Sequence, residues 1–142
     1  MVNQDNIRKW VDALRSGEFE QGLQYLTRRK HDASTWSHCC LGVACEVAIA
    51  SGVKVDVRVV EDFDMMKSYD GNLAFLPDAV QQWLGVNEDN VWLLRSDGSR
   101  SSASRLNDIT RQSFPKIGDA IERTFLTQQS GGENEEDIPA AK

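Results

Sequence analysis

The sequence lacks any apolar stretch near the roughly 18 residues that span a bilayer. Residues 1–10 are polar and charged, so they also lack the apolar core of a signal peptide. The chain has only three cysteines, and a disulfide between the adjacent Cys39 and Cys40 is disfavoured by ordinary backbone geometry. We therefore expect reduced thiols, no membrane partner and a location in the cytoplasm.

Basic residues are also scarce, with 16 Lys and Arg against 22 Asp and Glu and a net charge of −6. Binding to nucleic acid through its phosphates requires clustered cations. The run Arg28-Arg29-Lys30 is too short to supply them alone, so we do not expect nucleic acid as a partner. An acidic surface instead suits a basic partner surface, through electrostatic steering.

A chain of 142 residues with 40% hydrophobic residues has the size and composition of one domain. We predict a single α+β domain over residues 1–126 and an acidic disordered tail over residues 127–142. The tail contains Ser130-Gly131-Gly132 and a run of Glu and Asp, which cannot bury apolar surface.

Apolar residues spaced three and four apart predict most of the helices. A first helix ends at Gly17, and a second over about Glu18–Arg28 would form a helical hairpin with it. A third, over about Cys39–Ala50, is apolar on nearly every side and is therefore expected at the centre of the domain. Further helices are predicted after Pro77, over Ser102–Ile109 and from Ser113 to about Leu126.

The period changes to two between Val53 and Val60, where valines alternate with charged residues. This pattern predicts a strand with one buried and one exposed face. The turn Asp70-Gly71-Asn72 would let Leu73–Leu76 pair back as a second strand, and Val91–Leu94 is a third, followed by a turn at Ser96–Ser99. The predicted fold is a helical hairpin and a central buried helix packed with a small antiparallel sheet, followed by C-terminal helices.

Cys39 and Cys40 are the candidate nucleophiles, because a helix N-terminus favours the thiolate. The adjacent His38 is poorly aimed at Cys39, since consecutive helical residues point about 100° apart. Buried free cysteines commonly act as small hydrophobic residues, so we interpret both as structural. The spacing of the cysteines with His31 and His38 does not match a zinc site, and we predict neither a metal nor a cofactor.

Four other residues are candidate binding residues. Asn107 and Asp108 end a short helix, where such side chains cap free backbone groups. They could instead line a pocket for a small polar, nucleotide-like ligand together with Arg105. Trp36 lies in a polar segment, residues 30–37, and would anchor that loop to the core.

Several segments occur in a characteristic order: Trp10 to Gly17, the run Cys-Cys-Leu-Gly-Val-Ala-Cys-Glu from Cys39, Leu76-Pro77, Trp83 to Gly85, Leu106-Asn107-Asp108 and then Phe114. This order resembles a family of small proteins from tailed bacteriophages and prophages, over about residues 7–125. His38 departs from the family pattern, in which an aromatic or basic residue is commoner there. The resemblance implies a phage origin and the host cytoplasm as the location, and it implies no activity.

A small phage protein without a catalytic motif is typically an accessory factor. We therefore expect a non-catalytic binding module that inhibits or modulates a host protein of defence or gene expression. The alternatives are a protein that sequesters a small nucleotide-like signal, a cysteine-dependent enzyme using Cys39 or Cys40, and a virion component. A homo-oligomer is compatible with each of them.

Overall fold

The computed structural model describes residues 2–126, and the predicted tail, residues 127–142, lies outside them. In chain order the elements are α1 Gln4–Ser16, β1 Glu20–Gln21, β2 Thr27–Arg29, β3 Ser37–His38, α2 Cys40–Ala50, β4 Val57–Glu61, β5 Met65–Tyr69, α3 Asp78–Leu84, β6 Trp92–Leu94, β7 Arg100–Ser102, α4 Ala103–Asp108 and α5 Phe114–Phe125. None of the helices within residues 2–126 is both long and apolar enough to cross a membrane.

The strands form two sheets. The larger has the order β1-β3-β2-β5-β4, and β6 pairs with β7 in a separate two-stranded sheet. The α+β class is thus confirmed. The larger sheet is mixed rather than purely antiparallel, because β1 runs parallel to β3 while the other pairs are antiparallel. A parallel pair cannot be joined by a tight turn. Predicting hairpins between segments that are neighbours in sequence therefore does not predict the β1–β3 pair.

Helix α2 lies in the core, as its apolar composition predicts. Its residues from Cys40 to Cys45 are all buried, and α1, α3 and α4 pack around it. The indole Nε1 of Trp10, itself fully buried, donates a hydrogen bond to the carbonyl oxygen of Cys40 at 2.9 Å. The first helix is therefore joined to the central helix by a specific polar contact as well as by apolar packing.

The first and last described helices, α1 and α5, lie side by side. The side chain of Gln4 donates to the carbonyl oxygen of Phe125 at 3.0 Å. At the other end of the pair, Arg15 and Asp119 form an ion pair at 2.6 Å. The two ends of the described chain consequently meet.

The predicted helix over Glu18–Arg28 is wrong, and with it the helical hairpin. The segment instead contributes β1 and β2 to the larger sheet. Two residues explain the difference: Gln24 has a positive φ of 75°, and a Cβ at Gly22 would overlap the side chain of Ser37. The segment therefore turns and lies tightly against β3, and tertiary pairing overrides a helical spacing of apolar residues.

The predicted strand over Leu73–Leu76 is also wrong. The partner of β4 is β5, and the chain reverses at residues 62–64. The Asp70-Gly71-Asn72 turn does form, with a positive φ at Asp70 and Gly71 and a single bridge from Tyr69 to Asn72. Because pairing after the turn stops at Asn72, Leu73–Leu76 lies outside the sheet.

The buried face predicted for the valines between Val53 and Val60 does not extend along the strand. Val53 and Val55 pack against the core before β4 begins. Val57 and Val59 are 39% and 54% exposed, because β4 lies at the edge of the sheet. Alternation fixes which side chains share a face, but not whether another element covers that face.

Candidate functional site

Asn107 is fully buried, and its side chain makes four hydrogen bonds. Its Oδ1 accepts from the Nε2 of Gln21 at 3.0 Å and from the backbone N–H of Cys40 at 3.2 Å. Its Nδ2 donates to the carbonyl of Gly22 and to the Oδ1 of Asp108, both at 2.8 Å. The amide thus satisfies one of the unpaired N–H groups at the start of α2 and ties the β1–β2 loop to α4.

Two neighbours extend this Asn107 network, which we define as Asn107, Asp108 and Gln21. The carboxylate of Asp108 accepts from the backbone N–H of Gln24 at 2.9 Å, at the residue with positive φ. Gln21 donates to the carbonyl of Gln112 and accepts from the N–H of Phe114, at the start of α5. The network therefore holds the β1–β2 loop and the starts of α2 and α5 in one arrangement.

The two candidate nucleophiles lie beside this network. Cys39, Cys40 and Cys45 are all buried thiols. Burial raises the pKa of Cys39 to about 12 and raises the pKa of Cys40 well above its ordinary value. The Sγ of Cys40 donates to the carbonyl of Ala103 at 3.5 Å. Because the thiolate is the reactive form, this environment suppresses nucleophilic chemistry at neutral pH.

His38 does not face the cysteines and belongs to a second buried polar group. Its Nδ1 lies 2.9 Å from the Oγ1 of Thr27, which lies 2.7 Å from the hydroxyl of Tyr69. The Tyr69 hydroxyl in turn donates a short hydrogen bond to the carboxylate of Glu46 on α2. We call these four residues the buried polar chain; it joins three strands to the central helix.

The protonation of the buried polar chain follows from its surroundings. Burial lowers the pKa of His38 from its ordinary value of 6.5, against the opposing charge of Glu46. Burial and the hydrogen bond to Glu46 raise the pKa of Tyr69. A neutral imidazole and a protonated phenol therefore persist at neutral pH, which suits hydrogen bonding within the fold.

Trp36 lies on the same face of the sheet, and two cations lie close to its ring. The guanidinium carbon of Arg29 is 4.9 Å from the ring centroid and the Nζ of Lys67 is 4.8 Å from it. Arg29 is further held by hydrogen bonds to the carbonyl of Ala33 and to the sulfur of Met65. All three residues are only partly buried. We call Arg29, Trp36 and Lys67 the sheet-face cluster.

The pairing register explains why these residues meet. Thr27 lies opposite His38 and Arg29 opposite Met65, so alternate residues of β2, β5 and the segment leading into β3 share one face. On β4, Val59 lies opposite Lys67, and Glu61 lies opposite Met65. The sheet-face cluster is therefore continuous with the exposed side chains of β4.

The structure does not bring the four predicted binding residues together. Trp36 contacts Arg29 and Lys67, whereas Asn107 and Asp108 contact Gln21 and the residues around it. The side chain of Arg105 lies at an exposed position of α4, two residues from the fully buried Asn107. Sequence reasoning missed Arg29 and Lys67, because only strand pairing places them beside Trp36.

Two cavities lie beside the smaller sheet. One, of about 600 Å³, is lined by Val86, Val91, Trp92, Arg100 and Phe125 among others. Another, of about 260 Å³, lies between the β6–β7 turn and α5. Among residues 2–126, no group of three or more His, Cys, Asp or Glu side chains could hold a metal ion.

The whole described domain corresponds to one known family. Residues 2–125 match the domain of unknown function DUF8296, and the chain belongs to that family. No curated protein and no solved structure matches the chain.

Proposed function

We propose that this chain is a non-catalytic binding module: an accessory protein of a tailed bacteriophage that recognises a host protein in the cytoplasm and modulates it. The phage origin rests on the resemblance of the Cys39–Glu46 and Leu106–Asp108 segments described above. The binding role rests on the surface chemistry of the described residues.

The observation that carries the proposal is the sheet-face cluster. Trp and Arg are the residue types that most often dominate the energy of protein interfaces. Here the Trp36 ring and the Arg29 guanidinium hold each other in place, so little conformational entropy is lost when a partner covers them. A partly exposed aromatic ring contacted by two cations, one of which is held by hydrogen bonds, is suited to recognise a protein surface.

The buried thiols favour binding over catalysis. The two cysteines at the start of α2 are the best nucleophiles that the sequence offers, and burial raises the pKa of both. The partly exposed Arg29 and Lys67 lie instead on the sheet face beside Trp36. These side chains are suited to recognition rather than to nucleophilic attack.

A matched pair of tryptophan variants tests the proposal. Trp36→Ala removes the ring of the sheet-face cluster, and Trp92→Ala removes a ring that is 53% exposed elsewhere on the domain. Full-length wild-type and variant chains are used to capture proteins from a lysate of a candidate host bacterium. The affinity of each chain for the purified captured protein is then measured by calorimetry.

We expect Trp36→Ala to weaken binding at least about tenfold, as truncation of a central aromatic contact does, while Trp92→Ala binds as wild type does. Circular dichroism melts show whether each variant is folded. Equal affinity of wild type and a folded Trp36→Ala variant, or loss of binding only in Trp92→Ala, would contradict the assignment of the sheet face.

A further inference from the structure

Strand β4 is a regular edge strand. It pairs with β5 over five consecutive residues, Val57–Glu61, and ends the order of the larger sheet. An edge strand carries a row of backbone N–H and C=O groups able to pair with another chain. Natural edges are often short, bulged, or interrupted by proline or charge; β4 has no proline or bulge, and three of its five residues are valines beside the charged Arg58 and Glu61.

The hydrogen bonds at both ends of β4 show which residues face outward. The carbonyl of Asp56 accepts from the N–H of Asp70, and the N–H of Asp62 donates to the carbonyl of Asp64. Both contacts lie on the β5 side of the strand. Because alternate residues of an antiparallel strand bond to the same neighbour, the backbone groups of Val57, Val59 and Glu61 point to the open edge.

The side chains of the same three residues project from the face that carries the sheet-face cluster. Val57 and Val59 are 39% and 54% exposed. The side chain of Glu61 is 70% exposed, and its Oε2 lies 3.6 Å from the Nδ1 of His31. On the opposite face, Arg58 is held by an ion pair with Asp56 at 2.9 Å. The edge therefore combines outward backbone groups with an apolar strip that ends in a carboxylate.

We infer that β4 is a docking edge for an extended segment of the partner protein, which adds a sixth strand to the sheet. This inference rests on the proposed function, since it names how the partner is held. Main-chain hydrogen bonds supply affinity in such strand addition, and alternate side chains supply specificity. The added strand lies next to β4 and leads the rest of the partner over the sheet-face cluster.

Charge selects the occupant. Residues 56–62 contain the carboxylates of Asp56, Glu61 and Asp62 and one guanidinium, that of Arg58, a net charge of −2. A second copy of this chain would bring the same net charge to the junction, and in the register that pairs all five strand residues, with Val59 opposite Val59, Asp56 would lie opposite Asp62 of the other copy. Like charges directly opposite each other destabilise a sheet, so the partner is a basic segment of a different protein.

The register defines the pattern of that segment. In an antiparallel pair, its residue opposite Glu61 precedes those opposite Val59 and Val57. A Lys or Arg followed by two β-branched apolar residues at alternate positions matches these three side chains. The intervening residues project from the other face, near Arg58 and Val60.

The probe for this edge is a short labelled peptide with one lysine and two valines in that spacing. Its control has glutamate in place of the lysine. Binding to the full chain is measured by fluorescence anisotropy. Val59→Pro removes an outward N–H without removing a bond to β5, Val59→Thr keeps it, and Glu61→Lys reverses the charge.

We expect the lysine peptide to bind the wild type. Val59→Pro should weaken it at least about tenfold, and Val59→Thr much less. Glu61→Lys should weaken the lysine peptide and strengthen the glutamate peptide, a reversal that does not depend on how well Val59→Pro folds. Unchanged affinity in both Val59→Pro and Glu61→Lys would overturn the inference.

Amide exchange measured by NMR gives a second readout. On addition of the lysine peptide, the amides of Val57, Val59 and Glu61 should gain protection, while those of Arg58 and Val60 are already protected by β5. Protection gained elsewhere, or a wild-type dimer in sedimentation that Val59→Pro abolishes, would overturn the choice of occupant. If the peptide fails while host-protein capture still depends on Trp36, only this inference fails; if capture does not depend on Trp36, the proposed function fails.

Discussion

Polar groups are buried and hydrogen-bonded within the fold at the start of α2, whereas they are partly exposed on the open side of the large sheet. Around Cys40, the Asn107 amide uses its donors and acceptor within the fold and is fully buried. On the sheet, Arg29, Trp36 and Lys67 are partly exposed, and the outward groups of β4 have no strand beside them among the described residues. The hydrogen bonds of the first region hold elements of the fold together, whereas the side chains of the second are suited to contact a partner.

This difference separates a sequence signature from a site. The proposed resemblance to a phage family rests on the Cys39–Glu46 and Leu106–Asp108 segments, yet the structure uses their side chains to hold elements together. The side chains that remain exposed to a partner come from four places: strand β2, the segment that leads into β3, strand β4 and strand β5. A distinctive motif therefore marks the fold more directly than it marks the function.

The largest expected effect on the free energy of unfolding is at the start of α2. A Cβ at Gly42 would overlap the carbonyl oxygen of Leu26, and both the helix and that backbone are buried. We expect Gly42→Ala to lower the free energy of unfolding by more than about 3 kcal/mol, because overlap with backbone cannot be relieved by a rotamer change. Urea unfolding followed by tryptophan fluorescence measures it.

Gly118 supplies the matched control, because a Cβ there would meet its nearest atoms in Arg15 and Val11 at 3.6–3.7 Å, an ordinary contact distance. We expect Gly118→Ala to be neutral or to stabilise the helix by about 0.5–1 kcal/mol. Similar effects of the two substitutions would contradict the close approach of α2 to Leu26.

Asn107→Ala should have the next largest effect. It removes four hydrogen bonds and leaves the N–H of Cys40 and the carbonyl of Gly22 without this partner. We expect a loss of about 2–4 kcal/mol in the free energy of unfolding. The exposed Asn87→Ala should change it by less than about 0.5 kcal/mol. A folded Asn107→Ala chain of wild-type stability would show that the network is not a structural lock.

The smallest expected effect is the pH dependence of the free energy of unfolding that comes from His38 in the buried polar chain. Because burial lowers the pKa of His38, the unfolded chain binds a proton more readily than the folded one. This residue's contribution to stability is therefore present above about pH 6.5 and is lost as the pH falls through the folded pKa, by at most about 1.4 kcal/mol per pH unit.

Urea midpoints of wild type and His38→Gln, compared between about pH 7.5 and about pH 5.5, measure this contribution. The glutamine side chain keeps polar atoms near Thr27 but does not titrate. We expect the wild type to lose more stability than the variant on acidification. An equal loss in both chains would mean that protonation of His38 is not coupled to folding.

The sequence predicts helices better than strand neighbours in this protein. The end of α1 at Gly17, the apolar composition of α2 and the helix that follows Ser113 are local signals, and the structure contains each of them. The segment from Glu18 to Arg28 does not form the predicted helix, because it pairs with β3 and because the backbone of Leu26 packs closely against Gly42. Both contacts are with residues distant in sequence.

The candidate site shows the same limit. Trp36 can be singled out as an aromatic residue in a polar segment, and Asn107-Asp108 as a pair at a helix end. Nothing local connects Trp36 with Arg29 or Lys67, which the sheet brings beside it from separate strands. The exposure of Val57 and Val59 likewise depends on which strand lies at the edge.

The meeting of Gln4 with Phe125 has a consequence for the order of events during synthesis. Helix α1 is made first, but one of its principal neighbours, α5, is made after every other described element. Contacts so distant in sequence form late, since they carry the entropy of closing a long loop. The part of α1 that packs against α5 thus stays uncovered until α5 has left the ribosome, whereas the part that packs against α2 and α3 is covered earlier.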